Sequence, residues 1–221
     1  MKNVAILLAA GKGSRMKTDT PKQFLSIDGK MIVCYSLEAF ERCEFLDAVI
    51  VVTGSDQIDY VKDITAGFSK VKAVVAGGAE RYLSVYNALS CIMEAGGADY
   101  AFIHDSARPY ISEELLLRLY EDVMSCGACI PAVAVRDTVK VVKEGFIETT
   151  PSRSTLFAAQ TPQCFSFDAI YRAYKALVDK MGESASVTDD AQVMELFGNM
   201  KVKITEGDYK NTKITVIEDL K

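Results

Sequence analysis

The sequence predicts an α/β fold, a doubly wound, mostly parallel sheet with a protruding β-hairpin arm. Three observations carry that expectation. Apolar blocks of strand length recur without polar alternation, amphipathic segments of helix length lie between them, and the rhythm switches to alternation after Val135. Continuous apolar strands interleaved with helices are the pattern of a parallel sheet covered on both faces.

The strand blocks are Val4–Leu8, Ala48–Val52, Val71–Val75, Tyr100–Ile103 and Cys129–Val135. Val85, Ala88, Leu89 and Ile92 fall on one helical face. So do Leu115, Leu116, Leu119, Tyr120 and Val123, after an N-cap at Ser112 with Glu113 and Glu114 in the first turn. In RDTVKVVKEGFIETT the alternation runs along Thr138–Val142, turns at Lys143-Glu144-Gly145 and resumes at Phe146–Thr149, a hairpin signal. An isolated hairpin is marginal in water, so the arm leans on its own domain or on a second subunit. The rest of the chain predicts a helix near Phe167–Val178, another after Thr188, a strand at Lys201–Thr205 and a final strand at Lys213–Val216.

The 221 residues read as a single domain, 1–221, with the arm at about 136–155, on a scale of roughly 100–200 residues per domain. The apolar run Val4–Ala10 is too short for a membrane span, which takes about 20 residues, and runs straight into Gly-Lys-Gly rather than a cleavage site. The expected location is the cytoplasm, with no membrane partner. A net charge of −5 offers no broad basic surface for nucleic acid. Six cysteines lack a framework of spacings. Only CGAC, Cys126–Cys129, has metal or redox spacing, but a zinc site needs a second pair, so the two read as small apolar residues at a helix-to-strand junction and no metal ligands are expected.

The cations that exist are concentrated. Directly after the first strand comes GKGSRMKTDTPKQF, with Gly11, Gly13, Lys12, Arg15, Lys17 and Lys22. In a doubly wound sheet this loop stands at a carboxyl strand end, where ligands bind. It is neither named phosphate loop: the dinucleotide fingerprint needs glycine where Met16 stands, and the Gly-Lys-Ser/Thr of a Walker loop is missing. What remains is Arg15 and Lys22, with Pro21 stiffening the approach, as cations for charge that builds in phosphoryl or nucleotidyl transfer. IHDSARP follows the fourth strand and puts Asp105 at its carboxyl end, where it can meet a ribose hydroxyl or a metal's water shell. Arg108 pairs with Asp105 or steadies the loop, and His104 reads as a packing or capping residue rather than a base. Gly77 and Gly78 precede a helix whose first turn carries Arg81 and Ser84, a place for an anion or a base edge.

In order along the chain, AAGKGSRM…PKQFL, GGAERYLSV, HDSARP, VRDTV, AAQTPQCF, VTDDA and EGDYKNTKIT…EDL resemble the methylerythritol-phosphate cytidylyltransferases of non-mevalonate isoprenoid synthesis. The ribitol-phosphate cytidylyltransferases share most of these motifs. The resemblance implies a Rossmann-like enzyme that joins CTP to an alditol phosphate, here 2-C-methyl-D-erythritol 4-phosphate or alternatively ribitol 5-phosphate, and releases pyrophosphate with Mg²⁺ as cofactor. It implies Arg15 and Lys22 as the transition-state cations, and Ala9, Ala10, Gly11 and Gly13 as the loop around the nucleotide. Gly78, Arg81 and Ser84 would read cytosine, while Asp105 and Ser106 would face the ribose and metal. Thr138, Arg153, Thr161, Thr188 and Lys213 would bind the acceptor, with Arg153 and Lys213 on its phosphate. It also implies a homodimer in which the arm reaches into the neighbouring subunit. The sequence departs from the pattern at Ser106, where alanine is commoner, and at Lys210, where an acid is usual and Asp208 stands two residues earlier. A nucleotide-binding protein without turnover and a UTP- or dTTP-dependent pyrophosphorylase are the competing readings.

Overall fold

A computed structural model describes residues 2–11, 20–181 and 186–220. Its frame is one eight-stranded sheet. Strands β1 (Asn3–Leu8), β4 (Ala48–Thr53), β5 (Val71–Ala76), β6 (Tyr100–Asp105) and β7 (Ala128–Ala134) are the five apolar blocks of the sequence, each within two residues of its expected bounds. Short strands β2 (Ser26–Ile27) and β3 (Lys30–Met31) form a separate hairpin before helix α1 (Ile32–Arg42). Helices α2 (Ile58–Thr65), α3 (Arg81–Glu94) and α4 (Glu113–Cys126) then alternate with the strands. After β7 come β8 (Val141–Lys143), β9 (Phe146–Thr149), β10 (Phe157–Ala159), β11 (Gln163–Ser166), α5 (Phe167–Met181), α6 (Asp190–Phe197) and β12 (Lys203–Glu206).

Across the sheet the order is β10-β7-β11-β6-β1-β4-β5, with β12 also paired to β7. β5, β4, β1 and β6 are mutually parallel, and β11 is antiparallel to both β6 and β7. Alternate residues of one strand enter opposite cores, as the pleat requires. Val4 and Ile6 pack with α3, α5 and α6, whereas Ala5 and Leu7 pack with α1, α2 and α4. Both faces are covered, which is why the strands read as unbroken apolar runs. Among the described residues no helix is long and apolar enough to cross a membrane.

Local signals hold where they rest on chemistry of the chain itself. Ser112 Oγ accepts from the Leu115 N–H at 3.2 Å, capping α4, and Gly127 ends it in the left-handed region at φ +78°. The arm is a hairpin whose turn is the two residues Glu144 (φ +52°) and Gly145 (φ +85°), the geometry that matches strand twist. Lys143 therefore belongs to β8, and Thr138 lies ahead of it in irregular chain. Two further expectations need correction. The strand expected at Lys201–Thr205 begins at Lys203, and Lys213–Val216 is not a strand. Its backbone joins no ladder: Ile214 N–H donates to Ala107 O at 2.8 Å, while Thr215 and Val216 donate to the Asp219 carboxylate. Its alternation instead buries Ile214 against Ile27 and Ile32.

Candidate active site

Strand order reverses between β1 and β6, because β4 and β5 lie on one side of β1 and β6 on the other. Open sheets bind ligands outside the carboxyl strand ends at such a point. A cleft of about 450 Å³ lies there. Ala10 and Gly11 from the end of β1, Gly78, Arg81 and Ser84 from the β5–α3 connection, Asp105 and Ser106 from the end of β6, and Lys22 and Lys213 all line it.

Close packing shapes the cleft wall formed by the β5–α3 connection. A Cβ on Gly77 would stand 2.7 Å from the Ala10 Cβ and 2.8 Å from Ser84 Oγ, and one on Gly78 only 2.3 Å from the Leu83 Cβ. Only glycine lets this turn lie against β1 and α3. Gly78 N–H donates to Ser84 Oγ at 3.1 Å, and the Ser84 hydroxyl donates to Glu80 O at 3.2 Å.

Charge runs through the cleft as a connected chain. Lys213 Nζ donates to Asp105 Oδ2 at 2.5 Å, and Arg81 Nε to Asp105 Oδ1 at 3.3 Å. The outer nitrogens of Arg81 donate to both oxygens of the buried Asp190, at 2.9 and 2.8 Å. Burial alone would push the Asp105 carboxyl up, but Arg81 and Lys213 overcome it and hold the group well below the usual carboxylate range. Arg81 is held protonated against burial by Asp190 and Asp105. Lys22 Nζ donates to Ile214 O at 3.1 Å, so the segment that carries Lys213 also anchors Lys22.

Behind this chain sits His104. A carbonyl can only accept, so its 3.1 Å contact with Arg108 O assigns the proton to Nε2. Nδ1 then accepts from the Thr161 hydroxyl at 3.0 Å, and Thr161 Oγ1 accepts from the Asp105 N–H at 3.1 Å. Burial pushes the imidazole pKa down to about 4. His104 is thus a neutral brace under Asp105, not a base. Arg108 donates to Asn211 O at 2.7 Å and Ala159 O at 3.3 Å, so of its two expected roles it takes the loop-steadying one.

Of the other residues singled out in the sequence, Ala9 is buried beneath the cleft, its carbonyl accepting from the Gln23 side chain at 2.5 Å. Thr161 is buried behind the lining, with its hydroxyl engaged as described. Thr188 is exposed before α6 and bonds Gln192 Oε1. Thr138 and Arg153 are exposed on the arm and its base, where Arg153 donates to Arg136 O at 2.8 Å. Lys210 is exposed, its N–H donating to Asp208 Oδ1 at 2.8 Å. Gly13 and Arg15 lie outside the described residues. Cys126 and Cys129 are free thiols, and among the described residues no group of three or more His, Cys, Asp or Glu could hold a metal.

The family model IspD: 2-C-methyl-D-erythritol 4-phosphate cytidylyltransferase matches residues 3–221. The chain belongs to that family. A 2-C-methyl-D-erythritol 4-phosphate cytidylyltransferase of Lachnospira eligens is 42% identical over 221 residues, covering 99% of this chain and 96% of the relative. One of Clostridium botulinum is 45% identical over 219 residues, covering 98% and 95%. The crystal structure of 4-diphosphocytidyl-2C-methyl-D-erythritol synthase from Anaerococcus prevotii superposes with a TM-score of 0.86 at 32% identity, covering 99% of this chain and 92% of that one.

Within this family member the sequence reading passed over Asp190, Tyr174, Gln23 and Asn211. VTDDA signals two acids at a helix start, and Asp189 is indeed the N-cap, accepting from the Gln192 N–H. Nothing in that pattern says that the second acid turns inward to meet Arg81. Asn211 donates to Thr161 O at 2.9 Å and lies in a stretch of irregular backbone, where periodicity gives no signal.

Proposed function

We propose that the chain transfers CMP from CTP to 2-C-methyl-D-erythritol 4-phosphate and releases pyrophosphate, the reaction of non-mevalonate isoprenoid precursor synthesis. The observation that carries this reading is the meeting of Lys22, Arg81, Asp105 and Lys213 in one cleft at the β1/β6 switch point, in a chain that belongs to this cytidylyltransferase family.

An oxygen of the acceptor phosphate attacks the α-phosphorus of CTP in line. A P–O bond forms to the acceptor, and the bond to the bridging oxygen breaks, its electrons leaving with pyrophosphate. The acceptor phosphate is already anionic at neutral pH, so no general base is required, in keeping with a neutral, fully engaged His104. The difficulty is charge, since two polyanions meet and more charge builds on the leaving group. Lys22, joined by Arg15, would stabilise that charge, and Lys213 with Arg153 would hold the acceptor phosphate. Gly78 and Ser84 with Arg81 would read the base. Mg²⁺ would neutralise the triphosphate. The donor set suits an ion carried by the substrate, because Asp105 is an ionised carboxylate at the cleft and Mg²⁺ is commonly held by one or two carboxylates plus phosphates.

The arm's exposed Val142, Phe146 and Ile147 support a homodimer. Six free thiols suit the reducing cytoplasm. The test is pyrophosphate release from CTP, UTP or ATP with each alditol phosphate in turn. Release only with CTP and methylerythritol phosphate is expected. Release only with ribitol 5-phosphate would overturn the acceptor, and CTP binding without release would leave a binding protein.

A further inference from the structure

We infer, resting on the nucleotide reading of the cleft, that Asp190 with Tyr174 behind it is a positioning residue that sets nucleotide binding through Arg81. A guanidinium carries five N–H donors in a rigid planar fork. Asp190 takes one from each outer nitrogen of Arg81, at 2.9 and 2.8 Å, and Asp105 takes Nε at 3.3 Å. Two donors are left over, on a side chain that lines the cleft and remains 31% exposed. Asp190 is 0% exposed.

The carboxylate is itself held from several directions. The Tyr174 hydroxyl donates to Oδ1 at 2.5 Å. Asp190 is the first residue of α6, and Gln163 pins that helix start, donating to Asp189 Oδ2 at 2.9 Å and accepting from the Ala191 N–H at 2.8 Å. A carboxylate fixed this way fixes the plane and rotation of the guanidinium it grips.

The alternative arrangement shows what the grip prevents. Released from Asp190, Arg81 could turn its fork onto Asp105 in two parallel N–H···O bonds and take the oxygen that Lys213 now holds. Asp190 therefore divides the cleft's charges: Arg81 stays on the base side, one Asp105 oxygen stays with Lys213, and neither cation is drawn off. Stability is a weak reason for such a pair, since apolar residues of similar volume often serve a core as well.

The experiment measures CTP affinity by titration calorimetry and steady-state kinetics in the full chain, for wild type, Asp190→Asn, Tyr174→Phe, Arg81→Gln and the pairwise doubles with Arg81→Gln, with unfolding followed alongside. If the wild type fails to bind CTP, the nucleotide reading falls and this inference with it. Given wild-type binding, Asp190→Asn should weaken CTP about tenfold and Tyr174→Phe about threefold, with kcat within about threefold and the acceptor KM unmoved. In the Arg81→Gln background either change should alter CTP affinity by less than about twofold, because the effect travels through Arg81. A lowered unfolding midpoint with CTP affinity unchanged, or full additivity with Arg81→Gln, overturns the proposal. Tyr174→Phe keeps the ring and decides the matter if Asp190→Asn does not fold.

Discussion

Lys213 Nζ lies 2.5 Å from Asp105 Oδ2, joining residues 108 apart in the chain. The cation proposed for the acceptor phosphate is thus paired with a carboxylate, and on that proposal the phosphate competes with Asp105 for it. Asp105→Asn removes that competition together with the carboxylate expected to face the ribose and metal. The expected outcome is a kcat lower by about 10² with an acceptor KM that is unchanged or lower, because a transition-state contact is lost while the ground-state competition for Lys213 is relieved. Steady-state kinetics at saturating CTP measure both. A higher acceptor KM with kcat intact would mean that Asp105 serves only to hold the acceptor side together.

Lys22 lines the same cleft as Lys213, and its Nζ reaches Ile214 O at 3.1 Å. A cation that acts on charge developing at phosphorus contributes more to the transition state than to the bound triphosphate. Lys22→Ala should slow turnover by about 10²–10³ while CTP affinity changes far less, a split read by pairing single-turnover rates with equilibrium binding. Equal losses in both would reassign Lys22 to substrate binding.

The frame of the cleft was legible in the sequence because it rests on local patterns. Five apolar runs are β1, β4, β5, β6 and β7, and the carboxyl ends of three of those strands supply cleft residues. The antiparallel insertion of β10 and β11 was not legible. FAA and QCFS are three and four residues long, too short for periodicity, and their pairing with β7 is a long-range choice. Lys213–Val216 misled for the opposite reason: an alternating pattern reports which side chains are buried, not whether the backbone joins a ladder. Asp190 escaped notice because a buried acid at a helix start looks, in one dimension, like any capping residue.

The glycine pair after β5 offers a steric test. A Cβ at Gly78 would fall 2.3 Å from the Leu83 Cβ and 3.2 Å from the Leu83 carbonyl carbon, so the β5–α3 turn itself must move. Gly78→Ala should cost about 1–3 kcal/mol of stability, the usual range for overpacking, and weaken CTP because the wall next to Ser84 shifts. Denaturant unfolding and calorimetry measure the two effects. Gly11, whose Cβ would meet nothing within 4 Å, should accept alanine without loss of stability.

His104 makes stability depend on pH in a defined direction. Its pKa falls from 6.5 in the unfolded chain to about 4 in the fold, chiefly through burial. The folded state binds fewer protons between those values, so this contribution is whole above pH 6.5 and declines as pH falls toward 4. At 1.36 kcal/mol per unit the loss approaches about 3 kcal/mol. Unfolding free energy measured across that window should drop more steeply for the wild type than for His104→Gln. Activity near neutrality should show no His104 titration, and a profile with an inflection near pH 6.5 that His104→Gln removes would contradict the assignment.

The arm displays Val142, Phe146 and Ile147 at 58%, 79% and 64% exposure, on a hairpin too small to be stable by itself. Apolar side chains in that position favour burial against a second copy, and Arg153 and Thr138 travel with the arm. If the arm completes the neighbour's cleft, Phe146→Asp with Ile147→Asp should yield a folded monomer by sedimentation, with activity largely lost. Sharing is tested more directly by mixing two inactive chains, Arg153→Ala and Lys213→Ala. Random exchange makes half of the dimers mixed, and each mixed dimer pairs an intact Lys213 on one chain with an intact Arg153 on the other at one of its two sites, so about a quarter of wild-type activity should return. No recovery after confirmed exchange would mean that each cleft is complete within one chain, and the arm would then have to be read as an edge ornament of its own domain.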